Sequence, residues 1–267
     1  MRIIKKSKEI NSVFNSIKKT GFVPTMGSLH KGHEHLIRKS VKQNHVTFVS
    51  IFLNPKQFNS KKDLKKYPKK LTDDIRICRR NKVDYLFIPS FKEIYSWKVK
   101  KKKFPKINKI MEAKYRKGHF IGVLKVIEKL LDIIPANRMY LGEKDFQQIK
   151  IIADYLNINK IKTKIIKCKT IRNSNGVALS SRNKLLNKNN LKKTTDIINF
   201  IKKTKLKKNP LNNKKKDIKK FLKKNKISFD YVEFINLNNF KFSKKQSSNM
   251  RIFFAFYINK VRLIDNV

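Results

Sequence analysis

The sequence predicts an α/β protein built on a parallel sheet, followed by a smaller α+β domain. Three observations carry this. In the first two thirds, short apolar runs alternate with helical patterns, as a parallel sheet with right-handed crossovers requires. Val46 to Leu53 (VTFVSIFL) is nearly all apolar, the mark of a strand buried on both faces. After about residue 184 the pattern changes to a Lys- and Asn-rich helical stretch followed by strand-like runs.

Taken in order, Phe22-Val23-Pro24 ends a strand, and a helix follows from about Glu34 to Gln43. Val46 to Leu53 is the second strand, Thr72 to Asn81 a helix and Val83 to Ile88 another buried strand. Phe120, Val123, Leu124, Ile127, Leu130, Leu131 and Ile134 recur at spacings of three and four, one apolar stripe on a helix. Met139 to Leu141 reads as a strand, Phe146 to Leu156 as a helix and Thr163 to Cys168 as a strand. Beyond them, Leu191 to Phe221 is mostly helical in period, and Phe229 to Ile235, Ile252 to Ile258 and Val261 to Ile264 read as strands. The Lys-rich stretch from Lys98 to Lys109 reads as a mobile loop.

The 267 residues carry 67 Lys and Arg against 18 Asp and Glu, a formal net charge of +49. Alone, that points to a nucleic-acid or membrane-surface binder. Yet only 11 of the basic residues are Arg, and Ala, Gly and Pro number 5, 7 and 7. Residues with AT-rich codons (Lys, Asn, Ile, Phe) have taken their place. Arg is the tool for bidentate phosphate and base readout, and it is what the chain lacks. We read the charge as mutational drift on a solvated face, with no specific nucleic-acid partner; a GC-balanced coding sequence would refute this. Cys78 and Cys168 form no disulfide framework or zinc motif, which fits a reducing cytoplasm. No apolar run approaches the roughly 20 residues of a membrane span, so no membrane partner is expected.

In a glycine-poor chain, the remaining glycines mark places where a side chain cannot sit. Gly27 and Gly32 lie in Met26-Gly27-Ser28-Leu29-His30-Lys31-Gly32-His33, between a strand and a helix. Ligands bind there in open α/β sheets. The segment is neither G-x-G-x-x-G nor a Walker A loop. It offers two histidines at a helix N-terminus, suited to stabilising an α-phosphate under attack. Asn54-Pro55-Lys56-Gln57 follows the second strand, and its amides can pair with a small hydroxy acid or carboxylate. Gly142-Glu143-Lys144-Asp145 opens a helix: Lys144 supplies a point charge for phosphate, and Asp145 a helix cap or a ribose acceptor. Gln148 lies one turn on, on the face of Lys144. Leu179-Ser180-Ser181-Arg182 adds hydroxyls and a scarce arginine as a second phosphate clamp.

These segments together resemble the pantothenate synthetases, the pantoate–β-alanine ligases of the HIGH-type nucleotidylyltransferase superfamily. The matching stretches are VPTMGSLHKGH, VSIFLNPKQF, DLKKYPK, VDYLFIPSFKEIY, GHFIGV, YLGEKDFQQ and VALSSRN, with VRLIDN at the end. The ordered set is specific and covers nearly the whole chain, weakly between about 187 and 250.

The resemblance implies a Rossmann-like ATP- and pantoate-binding domain over residues 1–172 and a lid domain over 173–267. It implies a cytosolic homodimer that uses ATP with Mg²⁺, forms pantoyl adenylate, and passes the acyl group to β-alanine. It also implies residue roles. Met26 to His33 would line the ATP site, with His30 and His33 on the phosphates and His33 as proton donor. Gln57 would bind pantoate and β-alanine, with Asn54 beside it, and Gln148 would bind pantoate. Gly142 to Asp145 would hold the nucleotide, with Lys144 neutralising phosphate charge. Ile171 would contact adenine through its backbone, Leu179 to Arg182 would clamp the phosphates, and Asp73 and Asp74 would assist Mg²⁺ through water. The chain departs from the family pattern at Lys69, Ala113, Lys117 and Ile121. A nucleotidylyltransferase making a dinucleotide or CDP-type product would share the two-histidine loop, but the N-P-x-Q-F segment and the Gln147-Gln148 pair suit a small polar acid instead.

Overall fold

The computed structural model describes residues 1–14, 19–96, 98 and 102–267. The chain divides into two units, Met1–Ile171 and Arg172–Val267. The first holds a six-stranded parallel sheet: β1 (Arg2–Ile4), β2 (Thr20–Thr25), β3 (Val46–Ile51), β4 (Tyr85–Phe87), β5 (Arg138–Gly142) and β6 (Lys164–Cys168). The strand order is β1-β4-β3-β2-β5-β6. The predicted α/β class is therefore the observed one. β2 and β3 are largely buried, which is why they read as continuous apolar runs.

The connecting helices include α1 (Ser7–Phe14), α2 (Lys31–Gln43), α3 (Lys61–Lys66), α4 (Leu71–Arg80), α5 (Phe91–Ser96), α6 (Met111–Tyr115), α7 (His119–Ile133) and α8 (Phe146–Ile158). The stripe on α7 is buried in the unit's main core, which also holds Phe22, Phe48 and Ile152. Five elements are absent from the sequence reading: β1, α1, α3, α5 and α6. All are eight residues or shorter, too short for a period to register. The stretch Lys98 to Lys109 lies partly outside the described residues; its residues 102–109 hold no helix or strand.

The order of the sheet matters for function. From β2 the chain runs outward through β3 on one side, and β5 lies on the other. The crevice at the carboxyl ends of β2 and β5 is thus a topological switch point, where open α/β sheets bind ligands.

The second unit packs α9 (Lys188–Leu206) and α10 (Leu211–Lys224) on an antiparallel sheet of β7 (Phe229–Asn236), β8 (Met250–Ile258) and β9 (Val261–Asn266). The single helical stretch read from Leu191 to Phe221 is two helices, interrupted before Pro210. Phe200 and Phe221 stack across them at 3.8 Å between ring centres. Asn259 and Lys260, both at positive φ, make the tight turn joining β8 to β9. Arg172 closes the unit with a bidentate pair to Asp265, at 2.6 and 3.0 Å. Among the described residues, no helix is long and apolar enough to cross a membrane.

Candidate active site

Two turns at the carboxyl edge of the sheet carry the candidate residues of the first unit. The turn after β2 is wound around a carboxylate. Asp74, in the first turn of α4 and 2% exposed, accepts from the backbone N–H of Ser28 at 2.7 Å and of Leu29 at 2.6 Å. Gly27 sits at φ +78°, and a Cβ there would come within 2.9 Å of an Asp74 carboxylate oxygen. Only glycine meets both demands at low cost. Asp74, expected to assist Mg²⁺ through water, is thus engaged as the strut of this turn. Asp73, on the exposed side, pairs with Lys70 and Arg76.

This strut sets the start of α2. His30 is the N-cap, and its Nδ1 accepts from the backbone N–H of Gly32 at 3.1 Å. The proton of a neutral His30 is then on Nε2. His33 lies one turn on, its ring centre 4.1 Å from that of His30. The paired imidazoles stand at the positive end of the helix dipole, where an anion is favoured. Glu34 locks α2 to α4, accepting from Arg38 and Arg80 at 3.0 Å each. Burial raises its carboxyl, but hydrogen bonds from Arg80, Asn81 and Arg38 outweigh that and hold it below the usual range.

The turn after β3 spans Pro55–Gln57 and is capped by Asn54. The backbone N–H of Lys56 can only donate, so the Asn54 atom it meets at 3.1 Å is Oδ1, which also accepts from Tyr95 Oη at 2.8 Å. Asn54 Nδ2 therefore donates to Gln57 Oε1 at 3.0 Å and to the Gly122 carbonyl at 3.1 Å. That leaves Gln57 Nε2 to donate to Met26 Sδ, at 2.8 Å. The structure thus joins Gln57 to the start of the two-histidine turn, and gives Asn54 the task of orienting it.

Gly142 ends β5, the neighbour of β2, and Glu143, Lys144 and Asp145 follow it in a short 3-10 turn. Lys144 lies 3.5 Å from Asp145. Asp145 stands at the N-cap position of α8 but makes no side-chain capping bond, so that part of its expected role fails. Gln148 is half-buried on the first turn of α8. Its neighbour Gln147 is buried and spoken for, accepting from Glu112 N and donating to the Ile110 carbonyl. The two glutamines are therefore not a matched pair.

Ile171 ends the first unit and is half-buried. Leu179, Ser180, Ser181 and Arg182 belong to the second unit. There Ser180 Oγ caps the 3-10 turn Ser181–Leu185 by accepting from Arg182 N. The residues missed by the sequence reading are Tyr95, Arg116 and His119, which bind Asn54 and Gln57 from behind. Gly118 and Gly122, two survivors in a glycine-poor chain, flank His119 and were the available signal.

Two imidazoles on a helix N-terminus at the switch point of a parallel sheet, with a lysine-bearing turn after the adjacent strand, define a nucleotide-handling α/β enzyme. The comparisons narrow the class. The profile of the family described as Pantoate-beta-alanine ligase matches residues 2–267, and the chain belongs to that family. It is accordingly a ligase that joins pantoate to β-alanine. A pantothenate synthetase of Francisella tularensis subsp. mediasiatica is 44% identical over 266 residues, covering 97% of this chain and 94% of that relative. Among solved structures, the Francisella tularensis pantoate-β-alanine ligase complexed with β-γ ATP and β-alanine is 40% identical. It superposes with a TM-score of 0.84, over 100% of this chain and 97% of that one. A pantothenate synthetase of Thermus thermophilus gives a TM-score of 0.93 at 27% identity, over 100% and 99% of the two chains.

Proposed function

We propose that the chain makes pantothenate from (R)-pantoate, β-alanine and ATP in two steps. A pantoate carboxylate oxygen attacks the α-phosphorus, giving pantoyl adenylate and releasing pyrophosphate. The β-alanine amine then attacks the acyl carbon, the C–O bond to AMP breaks, and the amine sheds a proton. The pairing of His30 and His33 over the N-terminus of α2, with Gln57 bonded to Met26 beside it, carries this reading.

In this reading Met26 to His33 line the ATP site. The imidazoles stabilise charge on the α-phosphate, and His33 supplies a proton. General acid help of this kind is worth about 10²–10⁴ in rate. Lys144 offsets phosphate charge, and Gly142, Glu143 and Asp145 hold the nucleotide with it. Gln57 has a second N–H and one further lone pair on Oε1 for pantoate and β-alanine, and Gln148 reaches pantoate. The backbone of Ile171 serves adenine, and Leu179 to Arg182 serve the phosphates, as part of a lid role for residues 173–267.

Mg²⁺ would be held mainly by the oxygens of ATP and would supply charge neutralisation for the leaving pyrophosphate. This fits the donor set: among the described residues, no cluster of three or more His, Cys, Asp or Glu could hold a metal ion, and Mg²⁺ seldom uses an all-protein cage. We place the enzyme in the cytoplasm as a homodimer. Free, buried Cys78 and Cys168 support a reducing compartment; light scattering of the purified chain tests the dimer.

The decisive experiment is pantoate-dependent exchange of labelled pyrophosphate into ATP without β-alanine. Exchange by the wild type, with a loss of 10²-fold or more in His33→Ala, is expected. No exchange by folded, Mg-supplied protein would overturn the adenylation reading.

A further inference from the structure

The Gln57 amide is aimed by its own backbone as well as by Asn54, and the residues that hold that backbone come from far along the chain. His119, at the start of α7 and 6% exposed, lies with Nδ1 2.8 Å from the Gln57 carbonyl oxygen. Its Nε2 lies 3.0 Å from Arg116 Nη1. Arg116 can only donate and a carbonyl can only accept, so one tautomer satisfies both: Nδ1 carries the proton and Nε2 accepts. Arg116 Nη2 reaches the same Gln57 carbonyl at 3.3 Å, and Glu112 anchors the guanidinium at 3.4 Å. Glu112 is tied in turn through its backbone N–H to Gln147.

Close approach of α7 makes this grip possible. A Cβ on Gly122 would stand 2.3 Å from the Lys56 carbonyl oxygen and 3.0 Å from Gln57 Cα. The helix backbone therefore packs directly against the turn that bears Gln57. The Gly122 carbonyl closes the loop by accepting from Asn54. Four of these bonds end on Gln57 or on Asn54, which orients it, and the others hold Arg116 and Glu112 behind them.

We propose that His119, backed by Arg116, is a positioning residue: it fixes the Gln57 carbonyl, and through it the direction of the Gln57 amide toward pantoate and β-alanine. This rests on the reading of Gln57 as their binding residue. A misplaced amide weakens its substrates and leaves ATP, held by the other turn, nearly untouched.

The test compares KM for all three substrates in wild type, His119→Phe, His119→Asn and Gln57→Ala. His119→Phe keeps a ring and removes the donor; KM for pantoate or β-alanine should rise about tenfold, with KM for ATP within about twofold. In His119→Asn the side-chain amide nitrogen takes the place of Nδ1, and KM should return to within about threefold of wild type. A merely structural role predicts no such rescue and no separation of substrates. Equal effects in the two His119 variants, or an equal rise for ATP, would overturn the proposal. If Gln57→Ala leaves pantoate and β-alanine unchanged, the reading of Gln57 itself fails. If Gln57→Ala is impaired and His119→Phe is not, the positioning role alone fails. Should His119→Phe not fold, Arg116→Gln takes its place, with a rise of about threefold or more in the same KM expected and no rise counting against the proposal.

Discussion

The two turns at the edge of the sheet are held in opposite ways. The turn after β2 is wound on a charge: both oxygens of Asp74 accept from backbone N–H groups. The turn after β3 is held chiefly by neutral groups, the Asn54 amide and the His119 imidazole, with the Arg116 guanidinium a longer second donor at 3.3 Å. Asp74 and His119 come from segments distant in sequence, and each leaves the substrate-facing residue to do chemistry rather than support itself. The difference teaches where fragility lies. A buried carboxylate with two charge-assisted bonds cannot be removed cheaply, whereas a neutral strut fails by degrees and fails with pH.

The largest expected effect is therefore at Asp74. Asp74→Ala leaves two buried N–H groups without their acceptor, at roughly 1.5–3 kcal/mol each, so a loss of about 4 kcal/mol is expected. Denaturant unfolding measures it, and ATP affinity should fall with it because α2 loses its start. If Asp74→Ala costs no more stability than Asn54→Ala, the contrast between a charged and a neutral strut is broken.

The neutral strut makes a prediction about pH. Burial pushes His119 down to about 4 from 6.5; Arg116 adds to the fall, and the Gln57 carbonyl, Glu112 and Asp145 pull the other way without reversing it. Below pH about 6.5 the unfolded chain binds a proton that the folded chain refuses. The stability from neutral His119 is thus fully present above that pH and is lost as pH falls toward 4, by up to about 3 kcal/mol. In His119→Phe this limb should vanish, so the stability gap between wild type and variant should narrow as pH falls from 7 to 4. A constant gap would mean that His119 titrates normally and that the second turn is not held by a neutral ring.

Much of this was legible beforehand, and the reason it was not all legible is physical. Strand β3 and helix α7 announce themselves because burial imposes a period on many residues. His30, His33, Lys144 and Gln57 stood out because each sits in a short segment that opens a helix or turn after a strand. The struts did not. Asp74 looks like any acid in the first turn of a helix, and its partners, Ser28 and Leu29, contribute backbone groups that leave no trace in side-chain identity. His119 binds a carbonyl, and the same holds. The family resemblance implies one role for Asp74, and the geometry adds the role of strut. Gly27 and Gly122 came closest to revealing the struts, since each marks where a strut or a helix presses on a turn.

The smallest expected effect separates both struts from the surface. A net charge of +49 destabilises the fold through self-repulsion. Raising ionic strength from about 0.01 to 0.15 M shortens the screening length from about 30 to 8 Å, so the melting temperature should rise by a few degrees. Because Asp74 and His119 are buried, salt screens them little. The rise should then be the same in wild type, Asp74→Ala and His119→Phe. A flat or falling melting temperature in the wild type would show that the lysines are already compensated. A smaller rise in Asp74→Ala alone would show that the carboxylate strut feels the surface field, making it part of the chain's electrostatics instead of a sheltered support.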